Sequence, residues 1–164
     1  MNTDTLSIRP IEQNDNLQMA RIIREVMTAY GAVGDGFSIN DVEVDQMYEY
    51  YQKTGCSYFV ITDGVELLGG GGIGPLLGSE PGVCELKKMY FLPGIRGKGL
   101  GKQMVSTLLD QAKVLGYKTC YLETLDRMTE AKALYQKMGF DKLFAPLGNT
   151  GHGGCDSFYA KELS

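Results

Sequence analysis

The sequence predicts one α/β domain over residues 1–164, in which about four helices flank a mixed central sheet of six to seven strands. Three observations carry this prediction. Short runs typical of strands alternate along the chain with segments that have the 3.6-residue period of helices. Glycine-containing stretches separate several of these segments. The chain has 164 residues, 43% of them apolar, which suits a single domain with a sizeable core.

The N-terminal half begins with a strand at residues 6–10. A helix follows, because apolar residues recur at helical spacing and the pattern stops at Gly31. A second helix is expected over residues 38–52, whose apolar and tyrosine side chains fall on one side. Residues 57–62 and 65–68 flank an Asp-Gly turn and predict a β-hairpin.

The C-terminal half continues the sheet with a strand at residues 84–92. A helix should then run from the next glycine loop to Leu115. A strand, a helix and a closing pair of strands are expected at residues 119–125, 129–138, 140–144 and 157–163. The glycine-rich segments 69–82 and 148–154 are predicted to be surface loops, since the core pattern resumes after each of them.

The composition argues against several classes of function. A net charge of −4 and a pI near 5.0 leave no basic stripe, so we expect no nucleic-acid partner. No apolar run approaches the roughly 20 residues needed to cross a bilayer, so we expect no membrane partner. The four cysteines form no C-x-x-C pair, and the N-terminus lacks the pattern of a signal peptide. These features predict a reduced, cytoplasmic protein.

The segment Arg96–Lys102 reads RGKGLGK, follows an apolar strand and opens an amphipathic helix. Glycines let the backbone approach a ligand closely, and the free N–H groups of a first helical turn favour phosphate oxygens. The segment is not a P-loop, because Arg96 and Gln103 stand where glycine and a hydroxyl residue are required. It is not a dinucleotide fingerprint either, because Lys102 occupies the place of the third glycine. An anion-binding turn of another kind is predicted.

The Arg-x-x-Gly-x-Gly pattern at residues 96–101 resembles the pyrophosphate loop of the GNAT superfamily of acyl-CoA-dependent N-acetyltransferases. Residues 131–140 resemble the second signature of that family, a helix that bears a tyrosine and ends in Gly-Phe. Glu85 lies on the strand before the loop, as in members that use a strand glutamate as base. The resemblance covers residues 84–141 well and implies a GNAT-like fold for the single domain.

The resemblance implies an acyltransferase that moves an acetyl group from acetyl-CoA to a primary amine of a small-molecule or amino-acid-like acceptor, by direct transfer in a ternary complex. Two alternatives stay open, an acetyltransferase acting on protein N-termini or lysines and a non-catalytic acyl-CoA-binding module. A nucleotide-binding protein is a third interpretation of the glycine loop. The resemblance leaves a homodimer open and requires no metal.

For the cofactor, the resemblance implies that the loop backbone holds the pyrophosphate and that the preceding strand contacts the pantetheine. The residues assigned to acetyl-CoA are Met89, Tyr90, Phe91, Arg96, Gly97, Lys98, Gly99, Leu100, Gly101 and Lys102. The Phe91 amide is also assigned as a donor to the thioester oxygen. Many members carry an asparagine near the start of the second signature helix, whereas residues 126–129 here read DRMT. Arg127 or Lys132 could contact the phosphates instead, or remain solvated surface charges.

Three residues are assigned to the chemistry of the transfer. An alkylamine has a pKa of about 10.4 and must lose a proton before it attacks, so a base is required. Glu85 precedes Gly99 by fourteen residues, the spacing of the strand glutamate in some family members. Glu123 is the rival base, because it precedes Tyr135 by twelve residues, where other members place theirs. Tyr135 matches the second signature, and its phenol is assigned as the acid that protonates the leaving thiolate.

Each assignment has a purely structural alternative. Glu85 could be a solvent-facing strand carboxylate paired with the lysines that follow it, and Tyr135 could simply pack on an amphipathic helix. His152 and Cys155 lie three residues apart, yet the other cysteines are too scattered for a recognisable zinc site. His152 is instead expected to line the mouth of the acceptor pocket or to be a bystander in its loop.

Overall fold

The computed structural model describes residues 5–34 and 36–164, and within them the chain forms one seven-stranded sheet with helices on both faces. The strands are β1 (Ser7–Pro10), β2 (Ser57–Thr62), β3 (Leu67–Pro75), β4 (Val83–Phe91), β5 (Thr119–Thr124), β6 (Asp141–Leu143) and β7 (Ser157–Glu162). The α-helices of this part are α1 (Asn16–Ala29), α2 (Met47–Tyr50), α3 (Leu100–Val114) and α4 (Thr129–Lys137). The strand order is β1-β2-β3-β4-β5-β7-β6, and only the β4–β5 pair is parallel. Within the described ranges no helix has the length and apolarity that a membrane span requires.

Two buried apolar clusters cover the two faces of the sheet. One cluster joins Ile23 of α1 to Val60 of β2. The other joins Ile61, the next residue of β2, to Leu108 of α3 and Tyr135 of α4. Successive side chains of a strand point to opposite faces, so the two neighbours in β2 serve different cores. The predicted mixed sheet with helices on both faces is confirmed.

The prediction for the first glycine-rich segment is wrong in part, because residues 69–74 lie in the buried middle of β3 rather than in a surface loop. The glycines are required there because aromatic side chains of the neighbouring strands lie directly over them. A Cβ on Gly72 would come within 2.5 Å of Cδ2 of Tyr58, and one on Gly69 within 2.7 Å of Cδ1 of Phe91. Glycine inside a strand often marks such a close approach.

β4 carries a bulge that controls its separation from β5. The register between β3 and β4 shifts between Gly70 and Gly72, and Lys88 of β4 has a φ of 54° in the left-handed region. The Tyr58 hydroxyl donates a hydrogen bond of 2.6 Å to the carbonyl of Lys88 and so holds the bulge in place. β4 pairs with β5 only over residues 83–85, and beyond that segment a space opens between the two strands.

Residues 38–52 do not form the single helix that was predicted. They form two short 3-10 helices and the one-turn helix α2, at Ser38–Asn40, Val42–Asp45 and Met47–Tyr50. Asp41 has extended backbone angles, with φ −65° and ψ 139°, which interrupts the helical path. A continuous helix would point residues 41 and 43 in nearly opposite directions. The interruption instead lets the carboxylates of Asp41 and Glu43 both reach Lys88.

Candidate active site

A cleft of about 560 Å³ lies beside β4, bounded by the glycine loop and by α4. Eight of the ten residues that were assigned to the cofactor line it: Met89, Tyr90, Phe91, Arg96, Gly97, Gly99, Gly101 and Lys102. Lys98 is not among the lining residues, and the Leu100 side chain is buried in the core beside α3. The sequence assignments therefore converge on one cleft, with the Leu100 side chain serving the core.

The glycine loop presents backbone amides to this cleft. Gly97 and Gly99 have φ values of 76° and 78°, a left-handed backbone that suits glycine, and Gly99 is the N-cap of α3. The first amides of α3 have no partners within the helix, and the dipole of this 15-residue helix favours an anion at that end. A Cβ on either glycine would meet no atom within 4 Å, so the front of the loop is open to a ligand.

Arg96 connects the loop to the end of β4. Its Nε and Nη2 donate to the carbonyl of Phe91 at 3.0 and 2.8 Å, and its guanidinium lies 5.7 Å from the centre of the Tyr30 ring. The amide of Leu92 donates to the carbonyl of Leu68 in β3. Because bonded and non-bonded pairs alternate between antiparallel strands, the amide of Phe91 points away from β3. It therefore faces the side where β5 has separated from β4.

A smaller cavity of about 80 Å³ adjoins the cleft. Its polar and charged walls include Glu85 and Lys88 of β4, Glu123 of β5 and His152 of the loop before β7. Five residues line both spaces: Met89, Tyr90, Met128, Ala131 and Tyr135. The cleft and the small cavity therefore meet beside Tyr135.

Two loops close over the small cavity. The amide of Gly154 donates to the carbonyl of Gly36 at 2.8 Å, and the Phe37 ring packs so closely that a Cβ on Gly154 would lie 2.6 Å from it. Nε2 of His152 lies 2.8 Å from Oδ2 of Asp41, which links the same two loops a second time. The cavity is thus covered by residues that are far apart in the sequence.

Glu85 is buried inside the small cavity, with 5% of its surface exposed. Among the residues that the structure describes, none donates a hydrogen bond to its carboxylate. Burial raises the pKa of Glu85, while the neighbouring Lys87 and His152 act in the opposite direction. The structural alternative, a solvent-facing carboxylate, is excluded. A buried carboxylate with a raised pKa is suited to accept a proton near neutral pH.

Glu123 faces the same cavity and is held by two hydroxyl groups. Tyr121 donates to its Oε2 at 2.6 Å, and Thr150 donates to its Oε1 at 2.5 Å. One oxygen each of Glu85 and Glu123 and one ring nitrogen of His152 lie within 4.8 Å of one another. Such a group could hold a cation, either a metal ion or the ammonium group of an amine.

Behind the small cavity lies an ion network that was not predicted, formed by Asp41, Glu43, Lys87, Lys88 and His152. The fully buried Nζ of Lys88 lies 2.5 Å from Asp41 and 3.1 Å from Glu43. Burial opposes the charged form of Asp41, but the hydrogen bond from His152 and the charge of Lys88 hold its pKa well below its usual range. A lysine inside a buried strand signals that a carboxylate partner exists. The sequence does not show which carboxylate, because the partner is 47 residues away.

Tyr135 reaches the junction of the two spaces from α4. Its ring packs 5.9 Å from that of Phe140 and 6.4 Å from that of Tyr159, and only 6% of its surface is exposed. Burial raises the pKa of Tyr135, with smaller contributions from Tyr90 and Cys120. The phenol therefore stays protonated at neutral pH and can donate a proton into the junction.

Of residues 126–129, which depart from the family pattern, Met128 lines the cleft, whereas the charged side chains in and after this segment do not. Lys132 is engaged by Asp126, with its Nζ 3.1 Å from the carbonyl oxygen and in an ion pair with the side chain. Neither Lys132 nor Arg127 lines the cleft. The lysines that do line it are Lys102 and Lys137, and Lys137 at the end of α4 was missed by the sequence analysis. No motif singles out one lysine on a polar helix.

Comparisons with known proteins agree with this geometry. The sequence model of the acetyltransferase (GNAT) family matches residues 20–140. An uncharacterised N-acetyltransferase of Escherichia coli strain K12, YjgM, is 45% identical over 157 residues, which cover 95% of this chain and 94% of the relative. An acetyltransferase of the GNAT family from Staphylococcus aureus Mu50 has a similar structure, with a TM-score of 0.80, 17% identity and coverage of 97% of this chain and 99% of the other. The acetyltransferase yncA of Salmonella typhimurium, solved with its cofactor acetyl-CoA, has a TM-score of 0.78, 20% identity and coverage of 98% and 95%. Because the family model spans more than half of the chain, the chain belongs to the GNAT family and is an acetyltransferase.

Proposed function

We propose that this protein transfers the acetyl group of acetyl-CoA to the primary amine of a small-molecule acceptor, by direct transfer within a ternary complex. The observation that carries the proposal is the junction at Tyr135. There a cleft bounded by the glycine loop meets a small cavity that contains the buried carboxylate of Glu85, to which no described residue donates a hydrogen bond. A structural neighbour with the same fold holds acetyl-CoA, which supports acetyl-CoA as the donor.

The chain supplies three kinds of contact for the donor. The amides of the glycine loop would bind the pyrophosphate, helped by the positive end of the α3 dipole. Lys102 and Lys137 line the cleft and would add positive charge for the phosphates. The amide of Phe91 would donate to the thioester oxygen as negative charge develops there.

The proton transfers can be assigned to two residues. Glu85 would take the proton of the acceptor ammonium, directly or through a water, so that the neutral amine can attack the thioester carbon. The new C–N bond forms as the C–S bond breaks. Tyr135 would give its proton to the departing thiolate. Glu123 remains the rival base, because it faces the same cavity.

The geometry of the cation-binding group favours a primary amine. Three atoms that lie within 4.8 Å of one another always enclose a point that is no more than about 2.8 Å from each of them. That distance is a hydrogen-bond length, and a primary ammonium has three N–H donors for the three acceptors. Glu85, Glu123 and His152 could therefore each accept one N–H. Substituents on the nitrogen would leave one of the acceptors unused.

Transfer through an acyl-cysteine is disfavoured by the environment of Cys155. This thiol lines the small cavity, where it could otherwise serve as a nucleophile. Burial raises its pKa to about 12, and the nearby carboxylates of Glu123 and Glu85 add to the effect. The thiolate is the nucleophilic form, so little of it exists at neutral pH. Direct attack by the amine does not need it.

The first test is a thermal-shift titration with acetyl-CoA, CoA, ATP and NAD at matched concentrations. At 100 times Kd a ligand that binds only the folded state adds about 2.7 kcal/mol, which corresponds to roughly 5–10 °C in a domain of this size. We expect stabilisation by the two CoA species alone. CoA release with a mixed panel of small amines then separates an enzyme from a non-catalytic module, which would bind and remain silent. A shift with ATP or NAD alone would contradict the proposal.

Tyr135→Phe should lower kcat by about 10- to 100-fold, because the thiolate then leaves without its proton donor. The matched control is Tyr159→Phe. Its ring packs against Tyr135 and its buried hydroxyl has no hydrogen-bond partner among the described residues, so removal of that hydroxyl should leave kcat and stability nearly unchanged. Steady-state kinetics at saturating acetyl-CoA measure both variants. Equal rates in the two would remove Tyr135 from the mechanism.

A further inference from the structure

We infer that the acceptor is a compact primary amine that carries no carboxylate, so that an amine is favoured over the amino acid with the same side chain. The inference rests on the proposed function and narrows its substrate class. It comes from the charges around the small cavity and from the size of that cavity, which are independent observations.

The lysines that line the small cavity already have carboxylate partners. Nζ of Lys88 is bound by Asp41 and Glu43 at 2.5 and 3.1 Å, and its side chain is fully buried. Nζ of Lys87 lies 4.0 Å from Glu43 and 5.2 Å from the centre of the Tyr50 ring. An acceptor carboxylate that paired with either lysine would compete with a carboxylate of the protein.

The charge balance of the site also argues against an acceptor that carries a carboxylate. Around the small cavity, the described residues include four carboxylates (Asp41, Glu43, Glu85 and Glu123), two lysines (Lys87 and Lys88) and His152. The carboxylates outnumber the cationic groups even when His152 is counted as charged, so an ammonium group that enters this site meets a net negative charge. A carboxylate that enters it would be desolvated beside cations that, among the described residues, already face carboxylates of the protein, which is strongly unfavourable. The site is therefore suited to a monocation rather than a zwitterion.

The size of the small cavity and its apolar walls indicate what kind of carbon skeleton the acceptor has. The cavity measures about 80 Å³, whereas an apolar cavity of about 150 Å³ is known to take a benzene ring. Much of the remaining wall is apolar and includes Met27, Ala32, Phe37, Leu125, Met128 and Ala131. A short aliphatic chain would fit these walls.

The test compares isobutylamine, valinamide and valine as acceptors at saturating acetyl-CoA, with kcat/KM corrected for the fraction of neutral amine. Valinamide and valine have nearly the same shape and differ in charge, so their ratio isolates the carboxylate. We expect isobutylamine to be the best of the three and valine to be at least about 100-fold poorer than valinamide. Valine at the rate of valinamide would overturn this inference and leave the proposed function standing. No turnover with any of the three, together with turnover of carboxylate-bearing or larger amines in the mixed panel, would overturn this inference alone, whereas silence of the whole panel would overturn both.

The Glu43→Gln variant gives a second test of the charge argument, because it removes a carboxylate that faces both Lys87 and Lys88. The variant should raise the rate of valine relative to valinamide by about 10-fold, since Lys87 and Lys88 could then pair with the acceptor carboxylate. Glu80→Gln, which changes an exposed glutamate that lines neither the cleft nor the small cavity, is the matched control and should leave the ratio unchanged. An unchanged ratio in Glu43→Gln, in a protein that folds and turns over isobutylamine, would contradict the charge argument.

Discussion

Glu85→Gln is expected to lower kcat by about two to four orders of magnitude, because an amide cannot take the proton from the acceptor ammonium. Glutamine has nearly the same shape as glutamate, and Glu85 is only 5% exposed, so the substitution should fit the buried position and the fold should be retained. Steady-state kinetics with a small primary amine, with acetyl-CoA saturating, measure the effect. The matched comparison is Glu123→Gln, which removes the charge of the rival base. A larger loss in Glu123→Gln than in Glu85→Gln would exchange the two assignments.

The pH dependence separates these roles further. Burial raises the pKa of Glu85, so its basic form is lost at a higher pH than for an ordinary glutamate. The wild-type rate should therefore rise with pH through the raised pKa of Glu85. In Glu85→Gln this acidic limb should disappear while the low residual rate remains. Persistence of the limb in that variant would show that another group is the base.

The same substitution should stabilise the protein at neutral pH. The folded-state pKa of Glu85 lies above its unfolded value, so the contribution of Glu85 to stability is complete below the unfolded pKa of about 4.3 and is lost as the pH rises through the folded pKa. Glutamine avoids that loss. Thermal melts should show a higher Tm for Glu85→Gln at pH 8 and nearly equal Tm values near pH 4. A lower Tm for the variant at pH 8 would mean that the carboxylate has a stabilising partner.

Gly72→Ala should destabilise the protein by about 1–3 kcal/mol or more, because the core of β3 has no room for a methyl group. The new Cβ would lie 2.5 Å from Cδ2 of Tyr58 and 2.9 Å from the carbonyl oxygen of Ser57, and a backbone atom cannot move aside cheaply. The Tm should fall by roughly 2–4 °C per kcal/mol. Chemical denaturation and thermal melts both measure the change.

The control for this variant is Gly153→Ala, where a Cβ would meet no atom within 4 Å. Its stability should remain within about 0.5 kcal/mol of the wild type. Gly72→Ala should also reduce activity in molecules that stay folded, because a displaced Tyr58 would release the carbonyl of Lys88 at the bulge. Equal melting curves for the two variants would contradict the packing described for β3.

The sequence predicted the order of most elements because α1, α3, α4 and most strands carry their own periodicity. The helix predicted at 129–138 is observed at Thr129–Lys137, and the strand predicted at 119–125 is observed at Thr119–Thr124. The glycines of β3 were misassigned because a run of glycines has no side-chain pattern. These residues form a strand because they pair with β2 and β4 on either side, and the rings of Tyr58 and Phe91 on those strands leave room only for glycine.

The candidate site likewise has one part that the sequence predicts and one part that it does not. The glycine loop and Tyr135 belong to local motifs, so the sequence could place them, and their roles stay predictions. The ion network depends on contacts between distant segments, such as the one between Asp41 and Lys88 across 47 residues. The helix predicted at residues 38–52 is interrupted for the same reason. The ion pairs of Asp41 and Glu43 with Lys88, a residue far away in the sequence, override the local helical pattern.

The burial of the Lys88 ammonium between Asp41 and Glu43 also couples the substitutions that these positions can accept. Replacing the lysine alone would leave two neighbouring carboxylates without their shared cation, and replacing Asp41 would deprive both the lysine and His152 of a partner. Removal of one charge therefore unbalances a largely buried network and costs stability, typically several kcal/mol when the remaining charge is buried. Removal of the lysine together with one of its carboxylates would keep the charges balanced, so a redesign of this corner of the site has to change both signs at once.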